Sequence, residues 1–223
     1  MDARANTSSA AWTEGPRLPI GLVLGFCACI VIAVAVAMRR VFALAAAPRT
    51  GPSQLAALDA VFASHATLTL AHILPALTFV VITPFAVFRK SAGTGWAERA
   101  LFPFGGVVGF TAYAMSVYSV GGWLERSAVL FFNSLFLFSL FRAYSHMRRG
   151  ESLLKRRWML RAIAILLGIA TTRPVMGIFF ATSSLTHLSP NQFFGMAFWI
   201  GFSINTVIVE LWLRSRRRRE THS

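Results

Sequence analysis

Four ionisable residues, His72, Arg161, Arg173 and Glu210, stand in stretches of the sequence that are otherwise apolar. A charge held in an apolar medium is costly, so each of them needs either a partner or a purpose. Arg161 and Glu210 each lie about one helical turn from the basic end of their segment. If those two segments are neighbours the charges meet at one depth, as an ion pair that fixes packing or as part of a transport or proton-transfer route. Arg173 lies twelve residues beyond Arg161, about 18 Å along a helix. Pro174 follows it and frees a backbone carbonyl near Ala170. By the same depth count His72 and Asn133 fall in the half that holds Arg173, with Tyr113, Thr171 and Thr172 as further candidates for one polar pocket. Such a pocket would bind an anionic or quinone-like ligand; the competing role for Arg173 is to cap carbonyls and extend its head toward water. Trp199, Ser203, Thr206 and Glu210 recur at near-helical spacing and should face inward.

Other constellations are weaker. His65 and His72 are seven apart, about 10 Å along one helical face, too far to share a metal ion. Cys27 and Cys29 point in different directions on a helix, which fits neither a disulfide framework nor a metal clip. The sequence contains no phosphate-binding glycine loop, nucleophile elbow or C-x-x-C pair, and its acidic residues are scattered. No metal is expected, and no enzymatic reaction of the chain's own.

The elements that would position these residues are membrane spans. The chain is 56% hydrophobic and 13% charged over 223 residues, with mean hydropathy +0.60, unlike an ordinary soluble domain. Six segments are long enough to cross about 30 Å of hydrocarbon: 18–38, 67–88, 101–120, 128–147, 158–181 and 192–213. The fold class expected is therefore an all-α, polytopic transmembrane bundle of six spans. A polar tail at 1–17 precedes it and a basic tail at 214–223 follows. The stretch 41–66, with Pro48, Gly51 and Pro52, reads as a loop leading to a short interfacial helix. The first segment is too long for a secretory signal core, and Arg39 and Arg40 stand where a cleavable signal stays uncharged, so it is read as an uncleaved span.

Lys and Arg number 22 against 8 Asp and Glu, a net charge of +14. The basic residues fall between the apolar segments, which argues for topology and contact with anionic headgroups and against nucleic acid. One side collects Arg4, Arg17, Arg89, Lys90, Arg99, Arg142, Arg148, Arg149, Lys155, Arg156, Arg157, Arg214 and the run from Arg216 to Arg219. The other holds only Arg39, Arg40, Arg49 and Arg126. Both termini are therefore expected in the cytoplasm. Gly105 and Gly109 on the third segment, and Gly195 and Gly201 on the sixth, allow close helix contact.

At Lys155-Arg156-Arg157-Trp158-Met159-Leu160-Arg161 the chain resembles a bacterial family of predicted membrane proteins whose domain has no assigned function. The family's signature is His-Arg-x-Trp-Met-(Ile or Leu)-Arg. Thr171-Thr172-Arg173 and Val209-Glu210-Leu211-Trp212 look like its later elements, and His72 like its early histidine. The resemblance spans about 59–214. Two departures stand out: Lys155 occupies the signature histidine's place, and Leu101-Phe102-Pro103 replace a region where relatives often carry another histidine. A haem or metal site built on those histidines would be lost in this chain.

The function expected is that of a multi-pass bacterial inner-membrane protein without a reaction of its own, an accessory subunit or a small-molecule binding or transport protein. Its buried polar framework would be His72, Asn133, Arg161, Arg173 and Glu210. No cofactor is expected under this reading, and a membrane-protein partner or a second copy is compatible with it. The alternative is a b-type haem protein exchanging electrons with quinone, with His72 as one ligand and Met115 as the second. A lipid-surface scaffold using Arg216 to Arg219 is a third possibility, supported by charge alone.

Overall fold

The computed structural model describes residues 19–45, 60, 62–88, 95–187 and 190–221. The 1–17 tail, the stretch 46–59 with Arg49 and Asp59, the Arg89-Lys90 connection and His222 lie outside the described residues. Among those described, every regular element is helical: α1 (Ile20–Ala45), α2 (Ala66–Val87), α3 (Trp96–Ser116), α4 (Gly122–Arg148), α5 (Ser152–Ala181), the single turn α6 (Ser183–Thr186) and α7 (Pro190–Thr221).

Five of them, α1, α2, α4, α5 and α7, are long and apolar enough to cross a membrane. The third, α3, has 21 residues but begins Trp-Ala-Glu-Arg and carries two adjacent glycines, which lower its apolarity. Several helices run past the hydrocarbon-length segments. α1 continues through Arg39 and Arg40 to Ala45, and α5 starts at Ser152, because backbone hydrogen bonding continues wherever nothing breaks it and the headgroup layer accepts charged turns.

Proline and glycine shape the elements. α2 holds Pro75 and Pro84, α3 holds Pro103 and α5 holds Pro174 without ending there, as helices in apolar surroundings tolerate when neighbours and hydroxyls supply polar contacts. Thr83 Oγ1 donates to Phe79 O and Thr172 Oγ1 to Ile169 O, each at 2.7 Å, beside the carbonyls of Val80 and Ala170 that Pro84 and Pro174 free. The α4–α5 turn needs a left-handed residue, supplied by Gly150 at φ +74°.

α5 is the hub. It packs against α1, α2, α4 and α7, while α3 sits between α2 and α4, and α7 also contacts α4. Without water to drive apolar burial between helices, close fit and small residues decide such contacts. A Cβ on Gly109 would lie 2.4 Å from Leu137 Cδ2, and one on Gly105 2.8 Å from Leu140 Cδ2, so this glycine pair seats α3 on α4. Phe79, Phe132, Phe136, Phe193 and Phe198 fill the centre. Phe110, Phe131, Phe138, Phe141, Ile178 and Leu211 point outward, the surface that lipid chains would cover.

Candidate functional site

A cavity of about 270 Å³ lies between α1, α2, α3, α4, α5 and α7. It is formed by the C-terminal half of α1, the N-terminal half of α2, the C-terminal half of α3 and the halves of α4, α5 and α7 around the α3–α4 and α5–α7 connections. It therefore occupies the half of the bundle away from the Arg148–Arg157 cluster. His72, Asn133 and Arg173 all line it.

Each polar group on the wall has a distinct setting. His72 Nδ1 is 2.9 Å from Thr111 Oγ1, joining α2 to α3. That hydroxyl donates to Val107 O at 2.7 Å, so the imidazole is the donor in the Nδ1 contact. Asn133 Nδ2 donates to Gly109 O at 2.9 Å, the interhelical use of a buried amide. Ser116 Oγ donates to Tyr113 O at 2.7 Å. Glu125, buried at the start of α4, accepts from the Gly121 backbone N–H. Arg173 differs: its Nη1 has only the weak acceptor Met176 Sδ at 3.9 Å, and its Nε is buried without a hydrogen-bond partner among the described residues. Arg39, Arg40 and Glu125 all act on it electrostatically, and Arg40 and Glu125 share the cavity wall with it.

Tyr113, Thr171 and Thr172 are not on this wall. Tyr113 Oη pairs with Ser134 Oγ at 2.7 Å. Thr171 Oγ1 donates to Asn205 Oδ1 at 2.8 Å, and its backbone neighbour Thr172 packs against Gly201. Their spacing placed them at the right depth but on the faces of α3 and α5 that meet α4 and α7. His65 stacks on Tyr118 with ring centroids 3.7 Å apart. Among the described residues no three His, Cys, Asp or Glu side chains are grouped to hold a metal ion.

Arg161 and Glu210 form a separate site at the other end of the bundle. Arg161 Nε donates to Glu210 Oε2 at 2.8 Å and Nη2 to Oε1 at 3.4 Å, while Arg214 Nε reaches Glu210 Oε1 at 3.1 Å. The guanidinium of Arg161 also lies 4.6 Å from the Trp158 ring centroid. Because the pair keeps roughly a quarter to a third of its side chains exposed, Glu210→Gln is expected to cost only about 0.5–1 kcal/mol. In a thermal-denaturation measurement on the detergent-solubilised protein that corresponds to a fall of about 1–4 °C.

The same end holds contacts that the spacing of residues alone does not reveal. Lys155, 3% exposed, donates to Glu98 Oε2 at 2.6 Å and ties α5 to α3. Arg156 Nη2 donates to Val87 O at 2.9 Å and so holds the end of α2. Trp158 lies under Arg142 of α4 as well as Arg161, Met159 enters the core, and His146 Nδ1 contacts Glu151 across the α4–α5 turn. The basic block from Lys155 to Arg161 thus anchors α5 to four other helices. The available signal was the scarcity of carboxylates: with 8 in 223 residues, Glu98 and Glu125, each in the first turn of a helix, were candidates for buried partners.

A family model described as "predicted membrane protein (DUF2306)" matches residues 69–213, from the early part of α2 to the basic end of α7. No curated protein and no solved structure matches the chain.

Proposed function

We propose, for a chain that belongs to the DUF2306 family of predicted membrane proteins, that it is a non-enzymatic binding or carrier protein that holds a small amphipathic molecule in the cavity beside His72, Asn133 and Arg173. The observation that carries this reading is the cavity itself: apolar walls from six helices, with polar side chains gathered toward one end. Its volume of about 270 Å³ is close to the lower limit of pockets that take small organic ligands, roughly 300 Å³. His72, Asn133, Ser116 and Glu125 are each engaged by a neighbour, an arrangement suited to holding a ligand in place rather than to reacting with it.

The test is native mass spectrometry of the protein released from its micelle. The expected result is a bound small-molecule mass that disappears in Ala112→Trp, which fills the cavity from α3 while leaving the Arg161–Glu210 and Lys155–Glu98 contacts untouched. An adduct retained by that variant, or none on the native protein, would overturn the reading. The haem alternative has less support. His72 and Met115 do share the wall, and no further observation points to haem.

This reading includes six spans, α1 to α5 and α7, in a bacterial inner membrane with both termini cytoplasmic. Pairing of Glu98 with Lys155 supports α3 as the sixth span, since it gives the buried carboxylate at the start of that helix a counter-charge. The basic residues of the α4–α5 turn and of α7 support the orientation, and there they would face anionic headgroups. In cells expressing a Cys27→Ser/Cys29→Ser background, a cysteine at Ser119 should react with a membrane-impermeant maleimide and one at Ser152 should not. The reverse pattern would invert the topology.

A further inference from the structure

We infer that the ligand of this cavity is an anionic single-chain amphiphile, a carboxylate of fatty-acid type drawn from the bilayer, whose head is bound by Arg173 and whose tail lies along Val108, Phe132 and Phe136. This rests on the binding function proposed above and names its ligand class.

The guanidinium of Arg173 is the wall group whose needs the described residues leave unmet. A guanidinium offers five N–H donors in a fixed fork and cannot shed its charge. Here the acceptor recorded within reach is a thioether sulfur at 3.9 Å, and Nε is buried without a partner among the described residues. A guanidinium whose Nε is shut away from water is costly to hold unless an anion meets it.

The nearby carboxylate does not meet it. Glu125 lies close enough to act on Arg173 electrostatically, yet no Glu125–Arg173 contact within 4 Å is present, and its Oε2 is held by the Gly121 N–H instead. Gly121 permits that placement, since a Cβ there would sit 2.9 Å from Glu125 Cβ and 3.0 Å from Oε2. With Arg39 and Arg40 adding positive potential from α1, the polar end of the cavity favours an oxyanion, and a planar carboxylate suits the fork of an arginine.

The rest of the wall dictates the tail. From Arg173 to Ile165, which both line the cavity, α5 rises about 12 Å, and Val80, Val108, Val129, Phe132 and Phe136 face that length. A neutral or short polar anion would leave this apolar wall without a partner. On the side of α1, a helix with no buried residue, the cavity is lined by Ala33, Val36 and Ala37.

The experiment uses the full chain in lipid nanodiscs with two photoactivatable probes of equal length, a diazirine-bearing decanoic acid and the matching decanol, with labelled peptides located by mass spectrometry. The expected result is that the acid labels cavity-lining peptides about tenfold or more above the alcohol, as loss of one charge-assisted pair implies. Arg173→Gln should abolish that preference while alcohol labelling stays as in the native protein, which also reports that the variant is folded. Arg173→Lys, which keeps the charge, should retain part of the preference. Equal labelling by acid and alcohol, or a preference unchanged in Arg173→Gln, overturns the anion inference and leaves the binding function standing. Cavity peptides labelled by neither probe overturn both. Should Arg173→Gln lose labelling by both probes, Arg173→Lys decides: a retained acid preference supports the inference, and a lost one overturns it.

Discussion

Replacing Glu98 by methionine is expected to lower the stability of the detergent-solubilised protein by about 3–5 kcal/mol, a fall in melting temperature on the order of 10 °C. The substitution keeps the unbranched shape of the side chain, but it takes the carboxylate from Lys155, a residue only 3% exposed. Removing one member of a buried pair is costly chiefly because the other charge stays behind. The double variant Glu98→Met/Lys155→Met removes both charges and should recover most of the loss. A thermal-denaturation cycle of the two single variants and the double variant measures this coupling. If the double variant is as unstable as Glu98→Met, the ammonium is not the source of the cost and the role assigned to the pair is wrong.

The second large effect is expected at the α5–α7 contact. A Cβ on Gly201 would lie 2.7 Å from the Thr172 backbone N and 2.8 Å from its Cα. Backbone in the middle of a hydrogen-bonded helix cannot rotate away as a side-chain tip can, so Gly201→Leu must push the two helices apart. Overpacking of this kind costs about 3 kcal/mol or more, and here it also strains the Thr171–Asn205 hydrogen bond one position away. Gly106→Leu is the control, because a Cβ there meets nothing within 4 Å. Size-exclusion profiles and melting curves of the two variants should diverge, with Gly106→Leu close to the native protein. Equal behaviour would mean that α5 and α7 do not approach as closely as the structure has them.

Much of the architecture is written in the sequence as long apolar runs, because a span must satisfy its own backbone and show apolar side chains to lipid. That is why helices appear at each of the six apolar segments. Helix ends are less legible: Arg39 and Arg40 look like the close of a span, yet the helix carries on and Arg40 reaches the cavity wall. Depth counting brings His72, Asn133 and Arg173 to one level, since rise per residue is constant along every helix. It cannot say which face a residue presents, and so Tyr113, Thr171 and Thr172, at the right depth, belong to helix–helix seams. Glu98, Glu125 and Lys155 escape a spacing argument for a different reason. They sit at segment ends, where a charged residue is ordinarily a solvated one, and only the packing of α3 against α4 and the entry of α5 reveals that they are buried.

The basic block shows how a motif's density of charge and aromatics can serve structure. Lys155, Arg156, Trp158, Met159 and Arg161 each meet a different neighbour, so one turn and a half of α5 fixes the positions of α2, α3, α4 and α7. Lys155 meets α3 at Glu98, one turn before Leu101. In this chain that junction is an ion pair.

The most direct test of the account is an electron cryo-microscopy map of the protein purified into lipid nanodiscs, at a resolution that shows acyl chains. The expected map shows elongated density between Phe132, Phe136 and Val108, ending in a head within hydrogen-bond distance of the Arg173 guanidinium. A map in which Phe132 and Phe136 close the space and Arg173 pairs directly with Glu125 would contradict it.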